Sequence, residues 1–255
     1  MDPAKSYKIW FSQRCGSSLL CQALESTGIA GKPGEHFFGI YKGTLCDHYG
    51  VDNYQDLKKA LWNAGTLNGI FAVKNSFHQY HYYRIFNEIL QLRDIHPTAE
   101  LDHESIWADL FPNCKYIFLT RRNKVRLAVS WWKAIKDQVW HLKGGEEHQN
   151  PGSFYQEHYD FDALIHLLKE AVLRECAMQE YFNRYQIQPF TVVYEDFVND
   201  YEGTIRKVID FLEIEYDSLE IAPPYYHKTA DAGSEEWVQR FRLDLQNQEE
   251  AELIW

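Results

Sequence analysis

The sequence predicts an α/β fold with a central, mainly parallel sheet flanked by helices. Four short apolar runs read as buried strands: Lys8–Phe11, Gly69–Lys74, Lys115–Thr120 and Pro189–Tyr194. Segments with apolar residues at helical spacing alternate with them, the pattern of a parallel sheet covered by helices. The chain has 255 residues and 45% hydrophobic content, enough for a substantial core in one domain. Ligands of such sheets bind beyond the carboxyl ends of the strands. The loops at Arg14, Lys74, Arg121 and Glu195 leave those ends and are expected to converge on one cleft.

Each element has a local cause. Leu19, Leu20, Ala23 and Leu24 follow the first strand at helical spacing. Glycines punctuate a loop from Gly28 to Gly43. A helix is expected from about Asn53 to Trp62, and another over Phe77–Leu92 with His78, Tyr82, Ile85, Phe86 and Ile89 on one core face. A short helix covers Glu104–Leu110. The third strand runs into Arg121 and Arg122 and a helix from about Lys124 to Asp137, whose face is marked by Val125, Val129 and Trp132. Gly144–Ser153 is polar and glycine-rich and is expected to be a mobile loop. Phe161–Tyr185 is a long amphipathic helix, and Thr204–Leu212 a shorter one. Pro223 and Pro224 open an irregular segment, and Ser234 starts the last helix, with Trp237, Phe241 and Leu245 on its apolar side.

Composition excludes several classes. A net charge of −11 argues against a nucleic-acid binder. No run of about 18 apolar residues exists, so no membrane span is expected. The N-terminus lacks the regions of a signal peptide. Five cysteines, an odd number without a C-x-x-C pair, point to a reducing, cytoplasmic setting without disulfides. The histidines lack metal-ligand spacing, so no metal is expected. Aromatic residues make up 16% of the chain; most belong to the core, and the surplus suits a stacking pocket.

Two stretches point to anion chemistry. In Ser12-Gln13-Arg14-Cys15-Gly16-Ser17-Ser18 a strand turns into a helix. Backbone N–H groups and the helix dipole favour an oxyanion there. Arg14 adds a planar cation, Gly16 permits close approach, and Ser17 and Ser18 supply hydroxyls and caps. The same stretch also fits an ordinary turn with Ser17 as a cap. It is not the G-x-x-x-x-G-K-[ST] phosphate loop, because no Lys precedes the Ser pair. The second stretch, Arg121 to Ser130, places basic residues at a helix start, against the dipole, so an anion is expected to offset them.

The runs S-Q-R-C-G-S-S-L-L-C and T-G-I-A-G-K-P-G-E-H-F resemble the bacterial trehalose 2-sulfotransferase-like family, as does R-R-x-K-V-R-x-A-V-S-W-W. Cys15 departs from the usual R-S-G-S or R-T-G-S. The resemblance spans Ser12 to Phe241 and implies a three-layer, P-loop-like fold. It also implies transfer of a sulfuryl group from 3′-phosphoadenosine 5′-phosphosulfate (PAPS), leaving PAP, with no metal. Arg14, Cys15, Gly16, Ser17 and Ser18 would hold the phosphosulfate. Arg122 and Ser130, eight positions apart, would hold the 3′-phosphate, and Lys228 would reach a donor phosphate. The family Glu at Glu35 would be the general base, with His36 beside it as an alternate base, an acceptor contact or a residue that orients the loop. Lys74 would neutralise the leaving oxygen, although it also fits a strand-end surface Lys. The acceptor would be a small molecule, a sugar such as trehalose or a cationic natural product sulfated on oxygen or nitrogen. Family members can be homodimers. Two other classes stay open: a small-molecule kinase with a divergent phosphate loop, and a non-catalytic nucleotide-binding module.

Overall fold

The computed structural model describes residues 2–37, 43–98, 101–144, 146 and 148–249. β1 (Lys5–Phe11) leads through a five-residue loop to α1 (Ser17–Ser26). α2 (Leu45–Tyr49), α3 (Tyr54–Gly65) and the two-residue β2 (Thr66–Leu67) precede β3 (Ile70–Ser76). Then come α4 (Gln79–Leu92), α5 (His103–Ala108), β4 (Cys114–Thr120) and α6 (Lys124–Asp137). β5 (Leu142–Lys143), α7 (Gly152–His158), α8 (Phe161–Arg184) and β6 (Phe190–Val193) follow, then α9 (Tyr194–Asn199) and α10 (Tyr201–Phe211). β7 (Tyr226–His227) and α11 (Ala232–Glu249) close the described chain.

The main sheet has five strands in the order β2-β3-β1-β4-β6, and only the β2–β3 pairing is antiparallel. Alternation along β1 explains the three layers. Tyr7, Ile9 and Phe11 face one side and pack with Leu20, Leu24, Ile205 and Ile209 of α1 and α10. Trp10 faces the other and packs with Leu57, Ile85, Trp107 and Phe182 of α3, α4, α5 and α8. The chain leaves β1 toward β3 on one side and leaves β4 toward β6 on the other. The strand order therefore reverses between β1 and β4, and a crevice opens beyond their carboxyl ends. Arg14 and Arg121 stand there.

Several boundaries differ from the sequence expectation. Ser17 and Ser18 do not cap α1; Gly16 is its N-cap, without a side-chain hydrogen bond. Glu195 and Asp196 lie in α9, not in a loop after the strand. The segment expected to be a loop from Gly144 to Ser153 is bounded by structure: Gly144 N–H donates to the Tyr225 carbonyl (3.0 Å), and α7 begins at Gly152. β7 lies within the irregular stretch after Pro224 and pairs antiparallel with β5, an arrangement set by partners far away in sequence. α11 begins at Ala232, two residues before Ser234, because Asp231 Oδ1 accepts from the Ser234 N–H (2.9 Å). Residues 38–42 of the Gly28–Gly43 loop lie outside the described residues.

Candidate active site

The loop after β1 is shaped by two left-handed residues, Arg14 (φ 63°) and Gly16 (φ 88°). Gly16 answers two demands. Its backbone conformation disfavours a side chain, and a Cβ there would sit 2.6 Å from Tyr194 Cδ2. Gly16→Ala is expected to lower stability by about 1–3 kcal/mol through positive φ and overpacking, read as a drop in thermal midpoint. An unchanged midpoint would mean that the loop and Tyr194 yield freely.

With Gly16 as an unassisted cap and no acidic residue in its first turn, α1 presents its N-terminal end to the crevice. Arg14 crosses in front of it. Its Nε donates to Ser130 Oγ (3.1 Å) and Nη2 to Thr229 Oγ1 (3.1 Å), while Nη1 bonds the Trp140 carbonyl. All three partners are neutral oxygens. Burial, and then the neighbouring Arg121 cation, pulls the Arg14 guanidinium below its ordinary value. Arg121 is 9% exposed; its Nη1 donates to the Arg14 carbonyl (3.3 Å), and the group lies 4.9 Å from the Tyr194 ring centroid. Burial lowers Arg121 as well, only partly offset by Tyr194 and Glu195, whose Oε1 lies 3.8 Å from Arg121 Nε. Two guanidinium groups so close together, one with no salt bridge among the described residues and only the more distant Asp137 to offset it, form a cationic centre that an oxyanion would neutralise.

Around this centre lies a cavity of about 340 Å³, lined among others by Arg14, Gly16, Ser17, Ser18, Ser130 and Lys228. A second cavity of about 610 Å³ adjoins it through Arg121, Ser130 and Lys228 and adds Arg126 and Lys133. Lys228 is exposed at the wall common to both. That wall is held in place by Lys133, 3% exposed, which donates to the Thr229 carbonyl (2.8 Å) and to Asp231 (2.9 Å).

Lys74 lies within β3, which runs two residues further than the expected strand end at Lys74. It donates to Ser18 Oγ (3.2 Å) and pairs with Glu35 Oε1 (3.4 Å). The backbone explains how Glu35 arrives there. The Gly34 carbonyl accepts from the Lys74 N–H (2.9 Å), and Gly34 forms a parallel bridge with Val73. Upstream, Gly31 lies so close to β3 that a Cβ would meet the Ile70 carbonyl at 2.7 Å, at a φ of 75°. The Glu35 side chain is 41% exposed, open to an incoming molecule.

Five expected site residues line neither cavity: Lys74 and Glu35 reach the first only through Ser18, and Arg122, Cys15 and His36 stand elsewhere. Arg122 does not line either cavity. It is exposed and forms a pair of hydrogen bonds with Asp196 (2.7 and 3.0 Å), which raises its basicity. The preceding residue, Arg121, takes the inward position. The reason is a partner distant in sequence: the Arg122 and Asn123 N–H groups both donate to Glu195 (2.8 and 3.1 Å) before α6 starts, which turns the Arg122 side chain outward. Burial alone would push the Glu195 carboxyl up, but these hydrogen bonds hold it below its usual range. Cys15 contributes no side chain to the cavity. It is fully buried, donates to the Ser12 carbonyl (2.8 Å) and packs in the core. Burial pushes its thiol up to about 12, with Glu175 adding to the rise. Native-state alkylation is expected to modify the exposed Cys176 and spare Cys15 and Cys21; modification of Cys15 in folded protein would contradict its place in the core. His36 also lies outside the cavity lining, with Nε2 3.0 Å from the Lys32 carbonyl, so it anchors its own loop.

Other residues meet at the site that the sequence did not mark as ligands. Thr229 and the Trp140 carbonyl hold Arg14, and Tyr194 fills the space between Gly16 and Arg121. His141 Nε2 lies 3.5 Å from Ser18 Oγ. Burial, then Arg14 and Lys74, lower its basicity. Among the described residues no cluster of metal-ligating side chains occurs. No described helix is long and apolar enough to cross a membrane.

The model of the Stf0 sulphotransferase family matches residues 6–244. The chain belongs to this family. Sulfuryl transfer is thus its activity, and the family is PAPS-dependent. Trehalose 2-sulfotransferase of Mycobacterium tuberculosis is 24% identical, over 94% of this chain and 95% of that protein. The enzyme of the same name from Mycolicibacterium smegmatis is also 24% identical, over 96% and 97%. A sulfotransferase structure from Alicyclobacillus acidocaldarius covers 99% of this Stf0-family chain and 98% of its own, at 16% identity and a TM-score of 0.46. The sulfotransferase domain of the Synechococcus PCC 7002 olefin synthase covers 99% and 96%, at 17% identity and a TM-score of 0.43.

Proposed function

We propose that this Stf0-family sulfotransferase takes its sulfuryl group from PAPS and passes it to a hydroxyl group of a small polar acceptor, of the sugar kind named by its trehalose 2-sulfotransferase relatives. One observation carries the donor half. Arg14, hydrogen-bonded by neutral oxygens, stands before the end of α1, whose cap Gly16 supplies no side-chain hydrogen bond, and beside the buried Arg121. That centre suits a ligand with several oxyanions. The residues divide the work by position. Arg14, Ser17 and Ser18 would hold the phosphosulfate. Arg121, Ser130 and Lys228, at the wall between the two cavities, would hold the 3′-phosphate.

The donor supplies an activated sulfonate on a nucleotide leaving group. Glu35 would take the acceptor proton while the oxygen's electron pair forms the bond to sulfur. The sulfur–oxygen bond to the 5′-phosphate breaks, and its electron pair stays on the departing PAP. Lys74, beside Ser18, would stabilise the charge growing on that oxygen. The pairing of Lys74 with Glu35 keeps acid and base functions in register at the cavity edge.

Calorimetric titration with PAP, beside ATP with Mg²⁺, tests the donor. Metal-independent PAP binding is expected. It should weaken about 10- to 100-fold in Arg121→Ala, the loss of a buried charge-assisted contact, and stay within about threefold in Arg122→Ala, an exposed pair worth little. Absence of PAP binding, with ATP bound only when Mg²⁺ is present, would overturn the reading in favour of a kinase.

A further inference from the structure

We propose that the protein holds one internal water molecule between Trp10, Asn75 and Lys8, on the face of the sheet that packs against α4 and α5. This site is independent of the sulfuryl-transfer reading.

Trp10 and Asn75 are register partners across the parallel β1–β3 pair, so their side chains leave the sheet on the same face as neighbours. Trp10 is 1% exposed and Asn75 is 6% exposed. Trp10 Nε1 and Asn75 Oδ1 are both buried without a hydrogen-bond partner. An indole N–H can only donate, and an amide oxygen only accepts. The two are complementary in chemistry yet do not bond each other. Both residues line one small cavity, of about 10 Å³, walled by Phe37, Tyr82, Trp107 and Phe111. That is about the least volume that admits a water, and two polar partners are the least a buried water needs.

Lys8 supplies a third. It lines the same cavity and is 2% exposed. Its ammonium donates to Tyr116 Oη (2.8 Å), and its other polar neighbour, Glu104 Oε1, is 4.0 Å away. Around the ammonium also stand the rings of Phe111, Tyr116 and Trp107, with centroids at 4.3, 4.9 and 5.3 Å. Rings attract the cation but do not replace hydrogen-bond acceptors for all of its N–H groups. A water in the cavity would accept from Trp10 Nε1 and Lys8 Nζ and donate to Asn75 Oδ1. That makes three hydrogen bonds, the usual number for an internal water. It would also connect the pair to the polar chain beyond Lys8, where the Tyr116 and Tyr181 hydroxyls both donate to Glu104 Oε1.

A crystal structure of the full chain tests this directly. A single well-ordered water peak within about 2.6–3.2 Å of all three groups is the expected result. An empty cavity, a direct Trp10–Asn75 hydrogen bond, or a chloride in place of water would overturn it. In solution, oxygen-17 relaxation dispersion counts long-lived internal waters. Asn75→Leu, which removes the acceptor and fills the space, is expected to reduce the wild-type count by one. An unchanged count in folded Asn75→Leu would overturn the assignment. If that variant does not fold, the wild-type crystal structure decides alone.

Discussion

Arg14→Ala is expected to weaken PAP binding by about 100-fold or more, the loss of several charge-assisted hydrogen bonds at a desolvated site. Turnover with PAPS should fall further, because the same guanidinium would stabilise charge that grows during transfer. Calorimetry separates the two effects from stability when paired with a melting curve. Arg14 ties together Ser130, Trp140 and Thr229, so its removal also loosens the cavity wall. Arg14→Lys discriminates between charge and fork geometry. A single ammonium cannot reproduce contacts made by Nε and both terminal nitrogens, so lysine should recover only part of the affinity. Full PAP affinity in Arg14→Ala would place the donor elsewhere.

Glu35→Gln is expected to lower kcat by about 10²- to 10⁴-fold, the range for removal of a general base, while PAP affinity stays within about threefold. The substitution keeps the shape of the side chain and removes its capacity to take a proton. Its ion pair with Lys74 becomes a contact between the ammonium and a neutral amide, a small change at a group that is 41% exposed. Steady-state rates with any acceptor that supports turnover, set beside calorimetry on the same variant, make the measurement. Full activity in Glu35→Gln would remove the carboxylate from the chemistry and leave it as a partner for Lys74.

The fold was legible because its main signals are local. The four strand runs and the helical spacing after Phe11, Thr120 and Asp160 depend on neighbours within a turn or two, and the β1 loop follows from them. What escaped depends on distant partners. β5 and β7 each have two residues, and nothing in Leu142–Lys143 shows that Tyr226–His227 lies beside it. The exchange of Arg122 for Arg121 has the same origin. Spacing from Ser130 points to Arg122, but two backbone hydrogen bonds to Glu195, more than seventy residues away, decide which side chain turns inward. Cys15 misled for another reason. A residue in the middle of an anion loop looks like a ligand, whereas the loop there is so tight that the side chain drops into the core. Glu35 was identified by its motif, but its approach to Lys74 rests on the Gly34 bridge to β3, which no helical or strand periodicity announces.

The three bonds made by Arg14 bear on the timing of a catalytic cycle. Its guanidinium latches α6, the segment before β5 and the segment after β7 to one point. In the proposed reading, a sulfonate arriving at Arg14 would compete with those oxygens for the same N–H groups. Entry of the donor would therefore release the two strapping segments as it is captured, and departure of the nucleotide would let the latch re-form. If Arg14 holds the donor as proposed, the protein's own hydroxyls and carbonyl would act as internal rivals of the product, hastening its exit at the expense of the tightest possible grip on the donor.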